Sequence, residues 1–123
     1  MADSFLRRFK KSQWRDGHVA SEAFECAADD QGLSMHIRTG ELETDAGVRE
    51  YQQRAAYPSG DLLGVCELGS KCFAGMPLPV PAAPDGADPW PDQHYELTPC
   101  PDPAQRRRLA RFAVKLLDYV KSR

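Results

Sequence analysis

The sequence predicts an α+β fold: a small, mainly antiparallel sheet, one middle helix and a C-terminal amphipathic helix. Three observations carry this expectation. Leu33, Met35 and Ile37 alternate with Ser34, His36 and Arg38, the period of a strand with one covered face. Apolar residues recur at three- and four-residue spacing over 48–55 and again over 109–120. Nine of the ten prolines lie between Pro77 and Pro103, where they exclude helix interior and central strand. At 123 residues, with 41% apolar and 28% charged content, the chain fits one globular domain over 1–123. Within it, 76–103 reads as a proline-rich loop and 103–121 as the C-terminal helix.

The elements follow in order. Phe5-Leu6-Arg7-Arg8-Phe9 begins a strand or a short basic helix, a segment too short for its period to decide. Asp16-Gly17 is a turn signal. Val19 to Cys26 alternates weakly and reads as a half-buried strand or extended arm. With the polar, glycine-ended loop Asp29-Asp30-Gln31-Gly32, it forms a hairpin with the strand at Leu33. Thr44 or Asp45 caps a helix running to about Ala56, with Val48, Tyr51, Gln52 and Ala55 inward and Pro58-Ser59-Gly60-Asp61 ending it. The nearly continuous apolar run Leu62–Cys66 suits a strand covered on both faces. Ser70 caps a turn or two, which Gly75 terminates. Tyr95–Thr98 reads as a brief edge strand, because Pro99 follows. From Pro103, the stripe Leu109, Phe112, Ala113, Leu116, Leu117 and Val120 predicts four to five helical turns.

Charge is unevenly spread. Residues 1–15 carry five Lys/Arg against one Asp, residues 16–103 carry four against sixteen acids, and residues 104–123 carry seven against one. The ends are therefore +4 and +6 around a body of −12, which together give the net −2. Such ends either neutralise the body or steer a charged partner. A pI near 5.9 and the acidic centre disfavour nucleic acid, for which the cluster of Arg106, Arg107, Arg108, Arg111 and Lys115 is the one argument. No apolar run approaches the ~20 residues of a membrane span. The charged start, MADSFLRRFKKSQW, is unlike a signal peptide, so a cytoplasmic location and free thiols are expected.

Chemistry-bearing motifs are sparse. Cys66-x5-Cys72 and His94-x5-Cys100 offer four zinc-type ligands, but five intervening residues is too loose for a zinc knuckle. Ser21, Cys72 and Cys100 are available nucleophiles and His18, His36 and His94 available bases, without a nucleophile elbow. His18 sits in a turn and His36 at an outward strand position, so both read as surface side chains. His94, beside Trp90 and Tyr95 at the end of the proline loop, reads as a tie to backbone or a ligand contact. No phosphate-binding or dinucleotide loop is present, and neither cofactor nor metal is expected.

Several fragments, in this order, resemble a group of small bacterial proteins of no assigned activity. They are Leu6-Arg7-Arg8-Phe9, Ser21-Glu22-Ala23-Phe24, Leu33-Ser34-Met35, Gly64-Val65, Gly75-Met76-Pro77 and Pro91-Asp92-Gln93-His94. The chain departs from the group by residues inserted between Pro91 and His94 and by its basic last helix. The resemblance implies an α+β domain and marks Ser21 and His94; it implies no activity.

The leading expectation is a non-enzymatic interaction or accessory module of a bacterial cytosolic system, with a protein partner. Trp90, held between Pro89 and Pro91, would be presented with His94 and Ser21 on one surface, and Arg107 and Arg111 would make a second contact. The alternatives are a small enzyme with a cleft under the proline loop or a nucleic-acid accessory protein. Arg8, Ser21 and Glu67 follow the arginine–serine–glutamate order of ADP-ribosyltransferases, a likeness at fold level alone.

Overall fold

The structure, a computed structural model, describes residues 3–54, 61–83 and 86–121. Its elements are β1 (Phe5–Lys10), β2 (Trp14–Arg15), β3 (His18–Val19), β4 (Leu33–Ile37), α1 (Asp45–Gln53), β5 (Leu62–Leu68), β6 (Val80–Pro81), β7 (His94–Leu97), α2 (Pro103–Phe112), β8 (Val114–Lys115) and β9 (Val120–Lys121). The class is α+β. β1 is the strand around which the sheet is built, pairing Phe5 with Ile37 of β4 on one side and Arg7 with Cys66 of β5 on the other. The order is β6-β7-β4-β1-β5-β8, with β9 also on β5 and every pairing antiparallel.

Alternation along these strands divides the interior into two layers of side chains. On one face Phe5, Phe9, Leu33, Met35, Cys66 and Leu68 pack under Ala23 and Phe24 and under Leu109 and Ala110 of α2. On the other, Leu6 and Val65 pack under Leu42, Trp90, and Val48 and Tyr51 of α1. Each such fully buried large side chain stabilises by about 1.5–3 kcal/mol.

Local chemistry sets the helix starts. The Thr44 hydroxyl accepts from the Gly47 amide at 2.9 Å and caps α1. A Cβ at Gly47 would lie 1.7 Å from the Glu41 carbonyl oxygen, so the helix follows so closely on the 3-10 turn Gly40–Glu43 only because that position lacks a side chain. At α2, Asp102 accepts from the Gln105 amide and the Gln105 side chain accepts from the Asp102 amide, a reciprocal cap with Pro103 at the first position. α1 stops at Gln53 with Arg54 as its C-cap, short of the expected end near Ala56; Ala55, Ala56 and the Pro58–Gly60 turn lie outside the described residues.

Four expectations are corrected. The C-terminal helix does not run over 103–121: it stops at Phe112, Ala113 is extended, and β8 and β9 add to the outer edge of β5. Leu109 packs on one face of the sheet, whereas Leu116 and Leu117 pack on the other, and no straight helix spans both. The segment 19–26 does not form a hairpin with β4. β3 closes a two-residue ribbon with β2 around Asp16 and Gly17, both at positive φ, and Ser21–Phe24 is a 3-10 turn. β7 is not an edge, because β6 lies outside it and the Ala82 amide donates to the His94 carbonyl. Cys26 and Cys100 are not free: they form a disulfide with Cα atoms 6.1 Å apart, whereas Cys66 and Cys72 are buried free thiols.

Candidate binding surface

The polar residues under the proline loop are tied to one another and to backbone. β4 and β7 place His36 and His94 opposite each other, on the face covered by α1. The His94 Nδ1–H donates to the Ala83 carbonyl at 2.9 Å, which leaves Nε2 to accept from the Ser34 hydroxyl at 2.9 Å. His36 Nε2 stands 2.8 Å from the Asp88 carboxylate, and its Nδ1 stands 3.0 Å from the Tyr51 hydroxyl. That hydroxyl also lies 3.1 Å from the Leu6 carbonyl, so its single proton serves one of the two at a time. Burial pushes His36 below its ordinary value, with Asp88 working against the shift, and burial pushes Tyr51 up. The Arg8 guanidinium lies 3.8 Å from the Tyr51 ring centroid and donates to the Tyr51 carbonyl.

This network corrects the expected surface. Trp90 is 3% exposed and packs among Leu6, Val48, Tyr51 and Val65; its amide donates to Asp88, and it anchors the loop instead of displaying a contact. His94 is buried with both ring nitrogens engaged, and His36, expected at the surface, is buried beside it. Ser21 lies in the 3-10 turn on the opposite, α2-covered face, so Ser21, Trp90 and His94 do not share a surface. The same separation keeps Ser21 from Arg8, which faces Tyr51, and from Glu67, which holds Ser4 and Arg38. The four-ligand set is likewise broken up, with Cys100 bonded to Cys26.

Three of the predicted residues do come together. Ser21, Arg107 and Arg111 line a hollow of about 490 Å³ with His18 and Ala110. α2 presents Arg107 and Arg111 one turn apart, and on their other side a second hollow of about 230 Å³ is lined by Ala104, Arg107, Arg108, Arg111 and Phe112. The two arginines thus form a ridge between two concavities. Both are exposed, and neither has a hydrogen bond or ion pair among the described residues. Their neighbours are committed: Arg106 donates to the Pro101 carbonyl and lies 4.0 Å from Glu25, and Arg108 donates to the Lys71 carbonyl. Glu22, next to Ser21, is paired with Arg15. The His18 Nδ1–H donates to the Val19 carbonyl, leaving Nε2 without a partner among the described residues. His18 is the lining residue that sequence reasoning missed; a turn histidine carries no local signal that a distant helix will face it.

Basic ends therefore do two things here. Lys10–Asp61, Arg15–Glu22 and Arg106–Glu25 neutralise the acidic body, while Arg107 and Arg111 are left over. Among the described residues no helix is long and apolar enough to cross a membrane. No family model, curated protein or solved structure matches the chain.

Proposed function

We propose that this chain is a non-enzymatic interaction module, a small accessory protein of a bacterial cytosolic system, that docks an acidic segment of a partner protein on the Arg107–Arg111 ridge. One observation carries the reading: these two exposed guanidiniums, unpaired among the described residues, stand between two hollows on a domain whose other arginines are largely engaged. Carboxylate side chains straddling the ridge would meet a guanidinium fork on each turn, with Ala110 and Phe112 offering apolar contact beside them. A peptide is favoured over a nucleic acid because the body of −12 repels a polyphosphate beyond the ridge. The engaged histidines and the buried Trp90 beneath the proline loop support a contact here instead of a cleft there.

The test is fluorescence anisotropy with a labelled peptide rich in Asp, Glu and Phe, beside a labelled single-stranded oligonucleotide and phosphatidylserine vesicles. We expect saturable, salt-sensitive binding of the peptide, weakened about tenfold or more by Arg107→Ala with Arg111→Ala, a loss typical of central charged contacts. Tighter binding of the oligonucleotide or of the vesicles, or no peptide binding at low salt, overturns the reading.

A further inference from the structure

We propose that the Cys26–Cys100 disulfide is a redox latch that sets the shape of the basic hollow and so controls docking on it; the proposal rests on the binding reading above. The bond joins the two walls of the hollow. Cys26 follows the turn Ser21–Phe24, which carries Ser21, and Cys100 precedes α2, which carries Arg107 and Arg111. Among the described residues these walls also pack through Ala23 and Phe24 with Leu109 and Ala110, and the outlying Arg106–Glu25 pair joins them, with Glu25 exposed. An exposed ion pair of that kind holds little. Cutting the disulfide would therefore loosen one wall against the other.

Three further observations make the latch operable. Both cysteines are only half-buried, within reach of a small dithiol. Neither lies in a strand, so none of the ladder pairings that build the sheet contains either residue. The two remaining thiols are buried and held protonated: burial pushes Cys66 up to about 12 and also raises Cys72. Thiolate is the attacking species in exchange, so these two do not compete for the bond.

The step is ordinary exchange with a dithiol reductant. One thiolate of the dithiol attacks Cys26 or Cys100 sulfur, breaking the S–S bond and releasing the other as thiolate. The second thiol of the reagent then closes on the mixed disulfide. Two electrons and two protons pass to the protein, leaving two cysteine thiols and one oxidised, cyclic reagent. A disulfide oxidant reverses the sequence. In a reducing cytosol such bonds are characteristically transient and regulatory, which fits the location proposed above.

The experiment compares three forms of the full chain: oxidised, treated with dithiothreitol, and Cys26→Ser/Cys100→Ser. Hydrogen exchange followed by mass spectrometry reads the walls without any ligand, and anisotropy with the acidic peptide reads docking. On reduction, or in the variant, amides of 21–24 and 104–112 should exchange about tenfold faster or more, beyond any change in β1. Peptide binding should weaken by about fivefold or more, as expected when a contact surface loses preorganisation. Unchanged exchange in both segments overturns the latch, as does finding four free thiols after mild oxidation. If the walls loosen but no form binds the peptide, the latch stands and the docking reading falls. Should the variant fail to fold, the dithiothreitol-treated protein, with its sheet followed by circular dichroism, decides between the same outcomes.

Discussion

The two faces of the sheet treat their polar side chains in opposite ways. Beneath the proline loop, His36, His94, Tyr51 and Arg8 are each tied to a named partner, and the three rings lie out of solvent. Over α2, Arg107, Arg111 and the Nε2 of His18 stand at the surface with no hydrogen bond or ion pair among the described residues, Arg111 lying 5.3 Å from the Phe112 ring centroid. In a one-dimensional reading an aromatic and a histidine on a proline-stiffened loop look like the main epitope, with Arg107 and Arg111 as a second contact. In three dimensions Trp90 and His94 are buried, and only the two arginines remain at the surface. A buried polar group must be satisfied and so becomes part of the scaffold, while an unsatisfied charge at a concave surface is left available.

The comparison breaks most sharply at Trp90. As the plug between the loop and the α1-covered face, its replacement by Ala should cost about 3–5 kcal/mol in chemical denaturation, the range for truncating a buried large aromatic. A stable Trp90→Ala protein with a specific binding defect would show instead that the loop is the contact surface. A second, smaller effect concerns His36, which faces Asp88, Arg8, Tyr51 and His94. Its value is lowered by burial, so the folded protein holds this proton less tightly than the unfolded chain does. Its contribution is therefore complete above the unfolded value of about 6.5 and is lost as pH falls through the folded value. Denaturation midpoints of the wild type and His36→Gln, measured across that window, should converge on acidification; curves that stay parallel would show that His36 does not titrate with folding. The smallest effect belongs to the other face. Arg107→Ala should shift stability by less than about 0.5 kcal/mol, as exposed positions do. A larger loss would mean that the ridge supports the fold.

Legibility in the sequence tracked how local the cause was. The alternation at 33–37 marks β4 and assigns its apolar face correctly, because Leu33, Met35 and Ile37 all pack under α2. It misplaces His36, read as a surface side chain, since the burial of that ring depends on where α1 and Asp88 arrive from elsewhere in the chain. The helix starts are readable, the first from Thr44 or Asp45 as a cap and the second from Pro103 at a first turn. The end of α2 is not, because Leu116 and Val120 carry helical spacing yet the Leu116 amide donates to Val65 of β5 and Val120 pairs with Leu63 of β5. A short apolar run fits either state, and the open edge of β5 decides between them. Cysteine pairing was hidden for the same reason, as connectivity over a separation of 74 residues leaves no local mark. At the candidate surface, Ser21, Arg107 and Arg111 were individually marked, but their meeting with His18 follows only from the packing of Phe24 and Ala23 against α2.

The placement of β6 has a consequence for how copies of the molecule behave together. Because Val80 pairs with Glu96 and the Ala82 amide donates to β7, the period of two turns the backbone nitrogen of Pro81 toward the open side of the sheet. Proline nitrogen carries no hydrogen, so this rim offers carbonyls but a broken row of donors. Leu78 and Val80 are 63% and 49% exposed there, apolar enough to attract another chain. An arriving strand would find too few partners for its own carbonyls to extend the ladder, and strand-by-strand stacking of copies is discouraged at the place where side-chain stickiness would most invite it.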